Sequence, residues 1–129
     1  MSLALKLVDQ TLGQYPPVVR QLRLASERIT LRELLARRIE EEVAALNAGN
    51  DEIRPLVAPT EGERRLNERS PKPRVVDAGR QLAAAVEAFE RTRILVIVNE
   101  RQVTDLDLPL IVTADAEVRF LKLVPLVGG

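Results

Sequence analysis

Val118-Arg119-Phe120-Leu121-Lys122-Leu123-Val124-Pro125-Leu126-Val127-Gly128-Gly129 is read as a strand that gives way to a thin tail. Val118 to Leu123 has the extended character of a final strand. Pro125 has no amide to give a ladder and is poorly tolerated inside a sheet, so the chain is expected to leave the body there. Gly128 and Gly129 lack Cβ atoms, so a narrow channel can admit the terminal carbonyl and expose it to a nucleophile. Fully extended, residues 124 to 129 reach about 20 Å at ~3.3 Å per residue. Residues 1–123 are therefore read as one domain, and 124–129 as an exposed tail whose reactive group is the Gly129 carboxylate.

Working back from the tail, Ile94-Leu95-Val96-Ile97-Val98 is continuously apolar and mostly β-branched, which predicts a central strand covered on both faces. Asn99-Glu100 supplies a turn, Arg101 to Val103 and Leu108 to Val112 read as short strands, and Thr113 to Ala116 as a reversal. At the other end, Leu3, Leu5 and Leu7 alternate with Ala4, Lys6 and Val8. After a turn from Gly13 to Pro17, Val18 to Leu24 suits the antiparallel partner of that first strand.

Between these strands, Thr30-Leu31-Arg32-Glu33 has the spacing of a capping box, with Ile29 and Leu34 placed for a hydrophobic staple. Leu31, Leu34, Leu35, Ile39, Val43 and Leu46 then form one helical stripe. The charges at Arg37, Arg38, Glu40, Glu41 and Glu42 are read as a solvated face. Residues 48–75 are an insertion broken by Gly49, Pro55, Pro59, Gly62, Pro71 and Pro73. Thr60 and Glu63 mark a short helix over Glu61 to Asn67, and Ile53, Leu56, Val57 and Leu66 are candidate anchors. A second helix spans 76–92, beginning near Asp77 and ending near Arg91. Leu82, Val86 and Phe89 are expected on its buried side, with alanines allowing close packing.

Composition narrows the function. The 129 residues carry 19 basic and 19 acidic side chains, so no net field gathers nucleic acid or an anionic membrane surface, and neither is expected as a partner. Tyr15, Phe89 and Phe120 are too few for a base-stacking platform. Histidine and cysteine are both absent, which removes disulfides, thiolate or imidazole metal ligands, a cysteine nucleophile and an imidazole base. An intrinsic enzyme, a metal and a cofactor are not expected. Asp105 and Asp107 lack the further ligands of a calcium loop and are read as a solvated turn. With no signal peptide and no long apolar run, a cytoplasmic location is expected. Lys6, Lys72 and Lys122 are the only lysines against sixteen arginines, hence the only candidate acceptors for linkage through lysine.

A hairpin, a helix and further strands ending in Gly-Gly resemble the ubiquitin-like β-grasp of ubiquitin and of the sulfur carriers of thiamin and molybdopterin synthesis. The implied fold is α+β, a mixed sheet packed on a long helix, with an inserted helical segment between the first helix and the third strand. More specifically, four segments resemble bacterial ubiquitin-like modifiers: Ile29 to Leu35, Leu56 to Glu63, Val98 to Val103, and the Leu-Val-Gly-Gly end. Genes beside those modifiers typically encode activating-enzyme, conjugating-enzyme and deconjugating-peptidase homologues. The resemblance implies adenylation of Gly129 by an ATP-consuming activating enzyme, transfer through a conjugating enzyme to a target protein, and release by a peptidase. Val124, Pro125, Leu126, Val127 and Gly128 would be the tail residues recognised. The apolar, arginine-free tail also resembles the sulfur carriers, in which Gly129 would become a thiocarboxylate. A non-conjugated β-grasp assembly module is the third reading.

Overall fold

In the computed structural model, which describes residues 3–13, 16–49, 56–57 and 76–123, a five-stranded mixed sheet is built from both ends of the chain. Strands β1 (Leu3–Thr11) and β2 (Val18–Leu24) form the antiparallel hairpin the sequence predicts, with β1 three residues longer than its alternating run. Gly13, at φ 83°, supplies the left-handed residue of the connecting turn. Strand β3 (Arg28–Thr30) leads directly into helix α1 (Leu31–Asn47).

The α1 cap is half of the predicted box. The Thr30 hydroxyl oxygen accepts from the Glu33 amide at 3.1 Å, but among the described hydrogen bonds there is no return bond from the Glu33 side chain. Thr30 is also the last residue of β3, where its backbone pairs with Pro109. At the far end of α1, Asn47 spans the insertion: its side chain donates to the Val76 carbonyl and accepts from the Val76 amide at 3.3 and 2.7 Å. The inserted chain therefore leaves and returns at one point. Leu56 and Val57 are buried as anticipated, while Ile53, Leu66, the second capping box and the expected helix over Glu61 to Asn67 lie outside the described residues.

Helix α2 (Ala78–Glu90) is capped by Asp77, whose carboxylate accepts from the Arg80 amide. Its fully buried residues are Gln81, Ala85 and Ala88, while Leu82, Val86 and Phe89, expected on the buried side, pack against the core but are only partly buried. α2 packs against α1, and its buried alanines leave room for the two backbones to approach. The helix closes in a Schellman motif, Arg93 donating to the Ala88 carbonyl and Thr92 to that of Phe89. Thr92 occupies the left-handed position at φ 58° where glycine is preferred.

Strands β4 (Ile94–Val98) and β5 (Arg101–Val103) are joined by Asn99 and Glu100, both at positive φ, in the two-residue turn that suits hairpin twist. A short β6 (Pro109–Ile111) pairs with β3 as a separate two-stranded sheet, and β7 (Glu117–Lys122) completes the main one. The order is β2-β1-β7-β4-β5, with β7 parallel to β1 and antiparallel to β4. The central strand is thus β7, not β4. Leu95 and Ile97 of β4 are half-exposed because the helices cover one face only. That face presents Leu5, Leu7, Leu22, Leu24, Val96, Val118 and Phe120 to Leu31, Leu34, Leu35 and Ile39 of α1 in one aliphatic core. Among the described residues no helix is long and apolar enough to cross a membrane.

Candidate functional site: the root of the tail and the ionic cluster beneath it

The tail residues Val124, Pro125, Leu126, Val127, Gly128 and Gly129 lie outside the described residues, as does Lys72. What the structure places is the end of β7, immediately before them. The Lys122 carbonyl accepts from the Leu12 amide at 2.8 Å, and the Leu123 amide donates to the Arg93 carbonyl at 3.0 Å. The end of β7 is held from both sides, one bond to the β1 turn and one to the start of β4. Lys6 sits in the middle of β1, exposed on the uncovered face of the sheet.

Beneath this root, the helix-covered face turns from aliphatic to ionic. Asp9 follows Leu5 and Leu7 on the inward phase of β1, and Arg20 precedes Leu22 and Leu24 on the inward phase of β2. Arg38 and Glu42 continue the buried stripe of α1, correcting the reading of that charge cluster as wholly solvated. Arg38 is fully buried. Its guanidinium straddles both Asp9 oxygens at 2.6 and 2.7 Å, donates from Nε to Glu42 at 2.7 Å, and lies 4.4 Å from the Phe120 ring centroid. Glu42 also accepts from Arg20 and, through its other oxygen, from the Leu56 amide at 3.1 Å. Burial opposes the Arg38 charge, but Glu42 and Asp9 outweigh it and hold its pKa above the ordinary arginine value. Two carboxylates are thereby saturated by two arginines and one amide, as a buried charge group must be.

Lys122 is the fifth charged member. It shares the inward phase of β7 with Val118 and Phe120, and its half-buried amine lies within electrostatic range of Asp9, Arg38, Glu42 and Arg20. Burial pulls its pKa below the ordinary lysine value. Asp9 and Glu42 favour its charge, while Arg38 and Arg20 oppose it. Among the described residues it makes no ion pair. The Arg20 Nε is likewise buried without a hydrogen bond, 3.9 Å from Asp9.

A second concave region lies between the end of α2 and the loop after β5. This cleft of about 760 Å³ is lined by Arg32, Glu90, Thr92, Gln102, Asp105 and Asp107 among others. Asp107 is held below the usual carboxylate range by its hydrogen bond from Arg32 and by the Arg32 charge. Asp105 accepts from the Asp107 amide at 2.9 Å, closing an Asx turn. Both aspartates are accounted for by local structure, and the described residues contain no cluster of three or more metal-ligating side chains. Comparison with known protein families, curated proteins and solved structures gives no match for this chain.

Proposed function

We propose that this chain is a ubiquitin-like β-grasp protein, and that it serves as a protein modifier conjugated to target proteins through Gly129. The observation that carries the reading is the sheet order: the parallel β1/β7 pair lies at the centre, β2 and β4 flank it, and β7 is the last strand before the tail. In its favour also stand the Leu-Val-Gly-Gly end, the two hydrogen bonds that fasten the tail root, and the absence of histidine and cysteine from a chain that would be substrate rather than catalyst.

A free carboxylate is a poor acyl donor, because its charge repels nucleophiles and oxide is a bad leaving group. An activating enzyme would use ATP to form the Gly129 acyl-adenylate, releasing pyrophosphate. A cysteine thiolate of that enzyme then displaces AMP to give a thioester. Passage through a conjugating enzyme ends when a target amine attacks the thioester carbonyl and the thiolate leaves; a peptidase would reverse the amide bond. Body contacts provide recognition, and the tail provides reach. Should this protein itself accept a further copy, Lys6 is the more open of the two described lysines. The test is incubation with the cognate activating and conjugating enzymes and ATP, followed by intact mass measurement. A stable adduct on a second protein is expected. Replacement of a terminal oxygen by sulfur would identify a sulfur carrier instead, and no change of mass would leave a β-grasp assembly module.

A further inference from the structure

Helix α2 keeps part of its apolar surface outside the core. Leu82, Val86 and Phe89 recur at the i, i+4, i+7 spacing of one helical stripe, and they pack against the core yet stay partly exposed. The exposed remainder lines a groove. A hollow of about 420 Å³ takes in Gly79, Leu82 and Val86, and it meets the 760 Å³ cleft at Arg32 and Glu90, which line both. Phe89 carries the stripe into the cleft. From Gly79 to Glu90 the groove follows α2 for about 16 Å at ~1.5 Å per residue, the length of about three helical turns. Its far wall is fixed in advance, because the Leu106 carbonyl accepts from the Arg32 amide at 2.9 Å and Asp105 accepts from the Asp107 amide.

The rim of this groove is acidic. Glu87, Glu90, Asp105 and Asp107 line it against Arg32. Arg32 is committed to Asp107 and Arg91 to Glu87, whereas Glu90 and Asp105 make no ion pair among the described residues. In a chain with as many basic as acidic side chains, this is a local excess of negative charge beside an apolar stripe. We propose that the groove is the docking site for a basic amphipathic helix of a partner protein. About three turns of that helix lay their apolar side chains on Leu82, Val86 and Phe89, and their lysine or arginine side chains meet Glu90 and Asp105. The apolar contacts on α2 recur about every 5–6 Å, the repeat of one turn, and a partner helix presents its own side chains at that repeat. This docking does not depend on the conjugation reading, since it uses no residue of the tail.

The test titrates the full chain with two capped synthetic peptides about four helical turns long. One carries leucine on one helical face and lysine on the other, and the second has glutamate in place of each lysine. The lysine peptide is expected to shift the methyl signals of Leu82 and Val86 and the amide signals of Glu90 and Asp105 along one saturating curve, and the glutamate peptide to leave them in place. Glu90→Gln with Asp105→Asn should weaken the lysine peptide about tenfold, and the asparagine still accepts from the Asp107 amide. Glu40→Gln with Asp115→Asn makes the same change of charge on exposed residues outside the groove and should leave the affinity unchanged. Equal weakening in the two double variants would reveal attraction to surface charge alone and overturn the site, as would comparable binding of the glutamate peptide or shifts that avoid Leu82 and Val86. A second copy of the chain is the competing occupant, and sedimentation of the free protein decides it. Self-association abolished by the Glu90 and Asp105 substitutions would overturn the assignment to a separate protein, while a monomer is the expected result.

Discussion

Arg38→Met is the substitution the structure makes most consequential for stability. Methionine fills most of the aliphatic volume of arginine, so the change removes charge and hydrogen bonding rather than opening a large void. Three short bonds from Arg38 to two buried carboxylates are lost, together with its stacking on Phe120. Asp9 keeps only the 3.9 Å approach of Arg20. Removing one partner of a buried ion group costs about 3–5 kcal/mol, because the remaining charge is stranded. A domain of this size has about 5–15 kcal/mol in all, so the variant should be a fraction as stable as the parent. In urea, with a slope of about 1–3 kcal/mol per molar, the midpoint should fall by about 2 M at unchanged slope. Adding Asp9→Val and Glu42→Gln to Arg38→Met should recover most of the loss, since glutamine keeps an acceptor for the Leu56 amide and no buried carboxylate remains unpaired. A midpoint within ~0.3 M of wild type for Arg38→Met alone would refute the assignment of this cluster as a buried, mutually dependent unit.

Further outcomes follow from local geometry. Thr92→Gly should stabilise by about 1 kcal/mol in chemical denaturation, because a β-branched residue in the left-handed region pays ~1–2 kcal/mol and glycine repays part of that in the unfolded chain; a lower midpoint would contradict it. Thr30→Ala should cost about 1 kcal/mol by loss of the bond to the Glu33 amide, read in the same way. Lys122 has a folded pKa below its unfolded one, so between that lowered value and the ordinary lysine value of 10.5 the unfolded chain binds more protons. Stability should therefore rise with pH across that window, and Lys122→Met should flatten the rise; identical pH profiles would count against the half-buried placement of its amine. Deleting Gly129 should abolish conjugation with no change in melting temperature, whereas a normal yield of conjugate would remove Gly129 from the reaction.

The elements legible in the sequence were those whose signal is local. The 3.6-residue stripe and Thr30 cap of α1, the period-two run of β1 and the Asn99-Glu100 turn each need only neighbours along the chain. The β3/β6 pair was half legible, since Leu108 to Val112 reads as a strand but Arg28 to Thr30 reads as the approach to a helix. Its pairing joins two three-residue segments about 80 positions apart, which no local pattern encodes. Which residues of α2 are fully buried was hidden because alanine is compatible with either face, and only the closeness of α1 selects Ala85 and Ala88. The tail was readable as a chemical object, but its placement lies outside the described residues.

The ionic cluster is written in the phase of its residues. Asp9, Arg20 and Lys122 each fall on the inward phase of their strands, and Leu34, Arg38, Glu42 and Leu46 recur at four-residue spacing on α1. A charge on the core phase of one element is usually a fraying end; charges on the core phase of four elements are a constellation. Its placement has a physical consequence. The remaining core is leucine, isoleucine, valine and alanine, with Phe120 the one fully buried aromatic among the described residues, so shape alone specifies poorly how α1 lies along the sheet. Sliding α1 by one turn moves it about 5.4 Å, which carries Arg38 out of reach of Asp9 and Glu42 out of reach of Arg20 and so breaks the ion pairs that bridge helix and sheet. The same guanidinium that pairs with Asp9 also stacks on Phe120, so the polar end of the core ties α1 to β1 and to β7 at once, which the interchangeable aliphatic side chains do not do.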